Sequence, residues 1–200
     1  GSVPTAASQR YTGPMTFRDD ATLRLRAFHA DGRTGDWVTI RYEKCGFARP
    51  AEPRETQPGL LAEWYFKRFP DCAAIGGAQA DGRCVTDSVH FPQEATGRRA
   101  VGIVFRGYID VPEKGIHTFA LASNDGSVLR IGDRVVIDND GEHPLLEKTG
   151  QAALSAGLHP LELRFFDYNG GKVQLSLVSE DGSRRTLDGK WLRHVPAESR

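Results

Sequence analysis

From Gly59 onward the chain alternates short apolar-polar runs with glycine-bearing corners, a rhythm that stacked antiparallel strands can hold and a helical body cannot. Leu61 to Phe66, Ala100 to Ile109, His117 to Ala122, Val128 to Ile131, Arg134 to Ile137, Leu161 to Phe166 and Val173 to Val178 read as strands. Corners fall at Glu113-Lys114-Gly115, Asn124-Asp125-Gly126, Gly132-Asp133, Ala156-Gly157 and Asn169-Gly170-Gly171, where glycine and Asx residues accept the backbone angles of tight turns. The spacing predicts an all-β sandwich or barrel with no long helix. Residues 71–98 lack a clear period and are expected to form a long surface excursion.

The segment from Gly46 to Pro58 carries Pro50, Pro53 and Pro58 among small and charged residues and reads as an extended linker. It divides a first module, residues 1–45, from a second, residues 59–196. In the first, Thr22 to Ala27 and Trp37 to Tyr42 alternate as strands, with Asp31-Gly32 and Thr34-Gly35 expected to supply the positive φ angles of a hairpin.

Lysine plus arginine total 26, as do aspartate plus glutamate, so there is no broad field to draw nucleic acid or anionic lipid. No run approaches the roughly 20 apolar residues of a membrane-spanning helix. The three cysteines are Cys45, Cys72 and Cys84, an odd number that allows three alternative pairings. Cys72 and Cys84 flank the glycine-rich stretch from Ala73 to Arg83, and closing a loop of that size stabilises a fold by about 3 kcal/mol, which favours that pair in an oxidising compartment.

The common catalytic signatures of nucleophilic, metal, phosphate and dinucleotide chemistry are missing. Asp125, Asp138 and Asp167 could in principle supply a pair of glycosidase carboxylates, but each lies in an apparent turn, where Asx side chains bond their own backbone. The six histidines are scattered singly, without zinc-ligand spacing. Asn124, Asp125, Asp138, Asn139 and Asp140 offer the hard oxygen ligands that calcium prefers. Trp64, Tyr65, Tyr168 and Trp191 are candidate stacking faces for sugar rings. Of these, Trp64 is expected in the core and Tyr168 on an exposed loop beside Asn169.

The second module resembles the protective-antigen family of β-barrel domains through GLLAEWYF, FRGYIDVPEKGIHTFAL, ASNDGSVLRIGDRVVIDNDGEH and LSAGLHPLELRFFDYNGGKVQLSLV, in that order. The resemblance implies a barrel with a polar binding rim at one end. In the calcium-dependent adhesin branch of that family, the yeast flocculins among them, two consecutive aspartates hold a calcium ion that grips sugar hydroxyls. The matching positions are Asn124 and Asp125, so this chain departs from the pattern by one charge. The first module is similar to the small C-terminal β domain of chitobiases and β-hexosaminidases. There the stretch matching Gly1 to Tyr11 follows earlier strands, which implies that the chain begins inside the module, with Gly1-Ser2 either native or a cloning scar.

Together the two modules resemble the tail of family-twenty glycoside hydrolases, which remove terminal N-acetylhexosamines, although their paired Asp-Glu catalytic motif is missing. The resemblance implies a non-catalytic accessory region of an extracellular, periplasmic or cell-surface enzyme, with a signal peptide on its precursor and catalysis in an upstream domain. Its expected partners are that domain and a glycan bound by Asn124, Asp125, Asp138, Asn139, Asp140, Tyr168 and Asn169. The alternatives are a calcium-dependent adhesin or lectin module, with calcium at Asn124 and Asp125, and a purely structural spacer.

Overall fold

A computed structural model describes residues 2–77 and 79–196; Gly1 lies outside the described residues. They fall into two compact units, divided between Gly46 and Phe47.

In the first unit β1 (Ala21–Phe28) pairs antiparallel with β2 (Thr34–Tyr42), in a register that sets Leu23 against Ile40 and Leu25 against Val38. Gly32 takes the positive φ at the turn, whereas Thr34 and Gly35 already belong to β2, so only one of the two expected turn dipeptides turns the chain. Phe17 stacks on Tyr42 with ring centroids 5.0 Å apart, and Arg24 lies over the Trp37 ring. Trp37 and Val38 nonetheless remain exposed.

The second unit is all-β as the sequence pattern requires. Its strands are β3 (Gln57–Pro58), β4 (Leu60–Tyr65), β5 (Gly82–Thr86), β6 (Val101–Val111), β7 (Gly115–Ser123), β8 (Ser127–Ile131) and β9 (Arg134–Asn139), then β10 (Leu146–Leu154), β11 (Gly157–Asp167), β12 (Val173–Val178), β13 (Arg184–Thr186) and β14 (Leu192–His194). One sheet runs β3-β14-β6-β11-β8-β9, with β4 also on β6 and β5 on β4; the other runs β10-β7-β12-β13. The inward residues of both, among them Phe105, Leu129 and Phe165 from the first and Phe119, Leu121 and Leu175 from the second, form one core. Each large side chain so buried contributes about 2 kcal/mol. At Gly150 on β10 the sheets approach so closely that a Cβ would stand 2.0 Å from the Val136 carbonyl oxygen on β9.

β6 and β11 depart from simple alternation at one end, where Val101 to Phe105 and Phe165 to Asp167 are buried on both faces. The chain after β4 folds back over the outer face there, and Phe69, Cys72 and Ile75 pack on Tyr65, Val104 and Phe166 as a second small core. An ion ladder on the same outer face joins Glu63 to Arg106, Arg106 to Glu162 at 3.0 Å and Glu162 to Arg164 at 2.7 Å. Arg164 then donates to the carbonyls of Ala73 and Ile75, pinning the covering segment.

Three expectations are corrected here. Residues 71–98 are not a free excursion, because they contain β5 and bury Cys72, Ile75, Val89 and Ala95. The expected linker, residues 46–58, is not a detached spacer: Ala48 N–H donates to Ala153 O, Ala51 N–H to Leu158 O, and Gln57–Pro58 form β3. Cys72 and Cys84 are free thiols, like Cys45. Cys72 belongs to the outer core, while Cys84 packs against the inner one, so the sheet itself stands between the two sulfurs.

Candidate functional site

Three loops meet at the end of the sandwich where β7 turns into β8, β9 runs out toward β10, and β11 leaves for β12. The first loop centres on Asn124 and Asp125, and Asp125 holds a left-handed φ of 53°, a conformation that Asp tolerates better than most residues. Beneath it lies a buried hydroxyl-amide cluster. Ser123 and Ser127 bond through their hydroxyls at 2.7 Å, Ser123 donates onward to Asp125 O, and Asn139 Nδ2 donates to Ser123 Oγ and to Leu146 O.

Asp125 ties the three loops together. Its N–H donates to His143 O at 2.9 Å, its Oδ1 accepts from His143 N–H at 3.2 Å, and its Oδ2 accepts from Tyr168 N–H at 3.1 Å. Asn124 does the same with the third loop, donating from its backbone to Lys172 O and accepting Lys172 N–H on Oδ1 at 3.1 Å. Asp167 Oδ2 accepts from the N–H groups of Asn169 and Gly170. Between the loops opens a cleft of about 470 Å³, lined by Asn124, Asp125, His143, Pro144, Asp167 and the run from Asn169 to Lys172. This lining is polar and hydrogen-bonding, and its one aromatic ring is the imidazole of His143, whose nitrogens lie 2.8 and 3.0 Å from the carbonyl oxygens of Pro144 and Asn139.

Of the residues expected to bind sugar, the cleft gathers Asn124, Asp125 and Asn169. Asn139 is corrected to an interior residue, fully buried under the loops by its bonds to Ser123 and Leu146. Asp140 is turned the other way, its carboxylate accepting Cys72 N–H at 3.0 and 3.1 Å and so anchoring the outer covering segment. Asp138 is exposed and accepts Asp140 N–H, a local turn bond. Tyr168 is not an open stacking face: Arg68 lies 4.1 Å over its ring, Phe166 packs beside it, and its hydroxyl donates to Phe69 O. Trp64 is in the core, as expected, and Trp191 is partly buried beneath Arg185.

The expected calcium pair, Asn124 and Asp125, serves the loops first. All three side-chain oxygens of Asn124 and Asp125 already accept backbone N–H groups. Among the described residues no cluster of three or more His, Cys, Asp or Glu side chains is placed to hold a metal. The cleft residues absent from the expected binding set are His143, Pro144, Asp167, Gly170, Gly171 and Lys172; the signal for the last four is an Asx residue followed closely by two glycines in a polar corner, and nothing local marks His143 or Pro144.

Set against known proteins, residues 56–191 match a family model described as the PA14 domain. A β-hexosaminidase of Porphyromonas gingivalis (strain ATCC BAA-308 / W83) is 27% identical over 169 residues, which cover 80% of this chain and 21% of that enzyme. The chain therefore spans about a fifth of the length of that relative. Among solved structures, the PA14 domain of the antifreeze protein MpAFP superposes with a TM-score of 0.61 at 19% identity, covering 72% of this chain and 94% of the other. A PA14 sugar-binding domain from an RTX adhesin superposes with a TM-score of 0.60 at 15% identity, covering 70% and 99%. At such identities the two superpositions show a shared fold.

Proposed function

The chain belongs to the PA14 domain family, and on that premise we propose that it is a non-catalytic saccharide-binding module of a secreted glycosidase, with the three-loop cleft as its binding surface. The observation that carries the reading is the cleft itself: a polar hollow held open by reciprocal backbone bonds between loops, with hydrogen-bonding side chains left facing it. A rigid end of a sandwich that presents preformed donors and acceptors suits hydroxyl-rich ligands, because little ordering entropy remains to oppose binding. Likeness to the P. gingivalis enzyme supports a β-N-acetylhexosaminidase parent, whose upstream domain would do the chemistry and whose route would be extracellular or periplasmic. No helix among the described residues is long and apolar enough to cross a membrane.

Two carboxylates border the cleft, and both are engaged by backbone N–H groups that hold the loops, Asp125 by His143 and Tyr168 and Asp167 by Asn169 and Gly170, which supports the non-catalytic reading. Asp125 in particular spans two of the loops, accepting one backbone N–H on each carboxylate oxygen. A second reading, a free-standing adhesin module, is favoured by the likeness to the RTX adhesin domain. Calorimetric titration of the whole chain with N-acetylglucosamine and galactose, beside a chromogenic N-acetylglucosaminide assay, tests the proposal. Saturable heat without hydrolysis is expected. Hydrolysis would overturn the non-catalytic part, and no heat with either sugar would leave a structural spacer.

A further inference from the structure

A saccharide hydroxyl is donor and acceptor at once, so a site that holds one without a metal needs an uncommitted acceptor facing it and a donor alongside. At the rim most acceptors are committed. Both carboxylate oxygens of Asp125 and the amide oxygen of Asn124 serve backbone N–H groups. Asp167 differs. The residue is only 2% exposed, its Oδ2 is taken by Asn169 and Gly170, and its Oδ1 has no hydrogen-bond partner among the described residues although the side chain borders the cleft.

Gly171 keeps that oxygen uncovered. A Cβ at Gly171 would stand 2.1 Å from Asp167 Oδ1 and 2.7 Å from Asn124 Cβ, so the missing side chain leaves a hollow in front of that carboxylate oxygen. Two residues with donor-bearing side chains, Asn124 and the exposed Lys172, border the same cleft. A carboxylate held away from bulk water makes a shorter and stronger bond to a hydroxyl than a neutral acceptor does. Two carboxylates against one ammonium also make the cleft unfavourable to sugar acids.

We infer that Asp167 Oδ1 is the principal acceptor for a hydroxyl of a neutral hexose or N-acetylhexosamine, and that the sugar is gripped directly rather than through a cation. The inference rests on the saccharide reading of the cleft and deepens it. It is tested by titrating the whole chain with N-acetylglucosamine and with galactose, in EDTA and in calcium, for the wild type, Asp167→Asn and Lys172→Ala. Asp167→Asn keeps an oxygen for Asn169 and Gly170 while replacing the free acceptor by a donor, and Lys172→Ala leaves the backbone bonds to Asn124 in place. Binding is expected to survive EDTA, to weaken about tenfold in Asp167→Asn at unchanged melting temperature, and to weaken several-fold in Lys172→Ala. Should Asp167→Asn fail to fold, Lys172→Ala and the EDTA comparison decide. Binding that EDTA abolishes and calcium restores, or variants that bind like the wild type, would overturn the inference while leaving a saccharide site. A wild type that binds neither sugar in either buffer would remove the saccharide reading and this inference with it.

Discussion

Asp125 and His143 hold each other twice: the backbone N–H of Asp125 donates to His143 O, and the backbone N–H of His143 returns a bond to Asp125 Oδ1. With Tyr168 N–H on the second carboxylate oxygen, one side chain fixes three loops that the sequence keeps 18 and 43 residues apart. This arrangement makes Asp125 a strut of the cleft.

Replacing Asp125 by alanine leaves the N–H groups of His143 and Tyr168 without their acceptor. We expect a loss of about 2 kcal/mol in unfolding free energy, well above the change typical of a surface turn residue, together with weaker sugar binding. Chemical denaturation of the two proteins checks it; equal midpoints would reduce Asp125 to a turn residue.

Glu162 carries a pH signature. Burial works to raise its carboxyl, but the bonds and charges of Arg164 and Arg106 more than offset this and hold it below its ordinary value of 4.5. A group depressed in the folded state stabilises above its unfolded pKa and loses that contribution as pH falls through the folded one. Glu162→Gln should therefore cost about 1 kcal/mol at neutral pH, and the gap should close as pH drops below 4.5 toward the folded value. Melting curves of both proteins from pH 7 to pH 3 measure it; a gap independent of pH would mean the ladder contributes through packing alone.

All three cysteines are free, and Cys72 is sealed in the outer core, where burial followed by the nearby Asp140 pushes its thiol up, away from the reactive thiolate. Thiol titration without reductant should find three thiols in the unfolded chain, with Cys72 reacting only after unfolding. Finding one thiol would restore a disulfide.

Gly150→Val places a side chain where even a Cβ would stand 2.0 Å from Val136 O. The sheets must part at that edge, at a cost of about 2 kcal/mol, read as a lowered melting temperature. An unchanged melting temperature would mean the β9 and β10 edges are not in contact.

Strands with one buried face were legible in the sequence because their side chains alternate: β7, β8 and β12 all read directly. β10 was not, since Leu146 to Thr149 lie at an exposed edge where the sheet demands no apolar residue. β5 was hidden for a similar reason, being a short strand paired on one side only, inside a segment whose buried residues are too sparse to show a period. The cleft was half legible. Asn124, Asp125 and Asn169 stand out as Asx residues at glycine corners, but nothing local distinguishes them from Asp138, which stays in an exposed turn bond, or from Asn139 and Asp140, whose side chains turn inward or sideways because of contacts with Ser123, Leu146 and Cys72. Asp167 reads as an ordinary turn residue until folding buries it and leaves one oxygen facing the cleft.

Whether sugar binds in the three-loop cleft decides the function proposed for this domain. Titrating isotopically labelled protein with N-acetylglucosamine while following backbone amide shifts locates the contact directly. Saturable shifts confined to His143 and the run from Asp167 to Lys172, with the outer sheet faces unmoved, are the predicted result. Shifts clustered elsewhere on the sandwich, with that run silent, would contradict it.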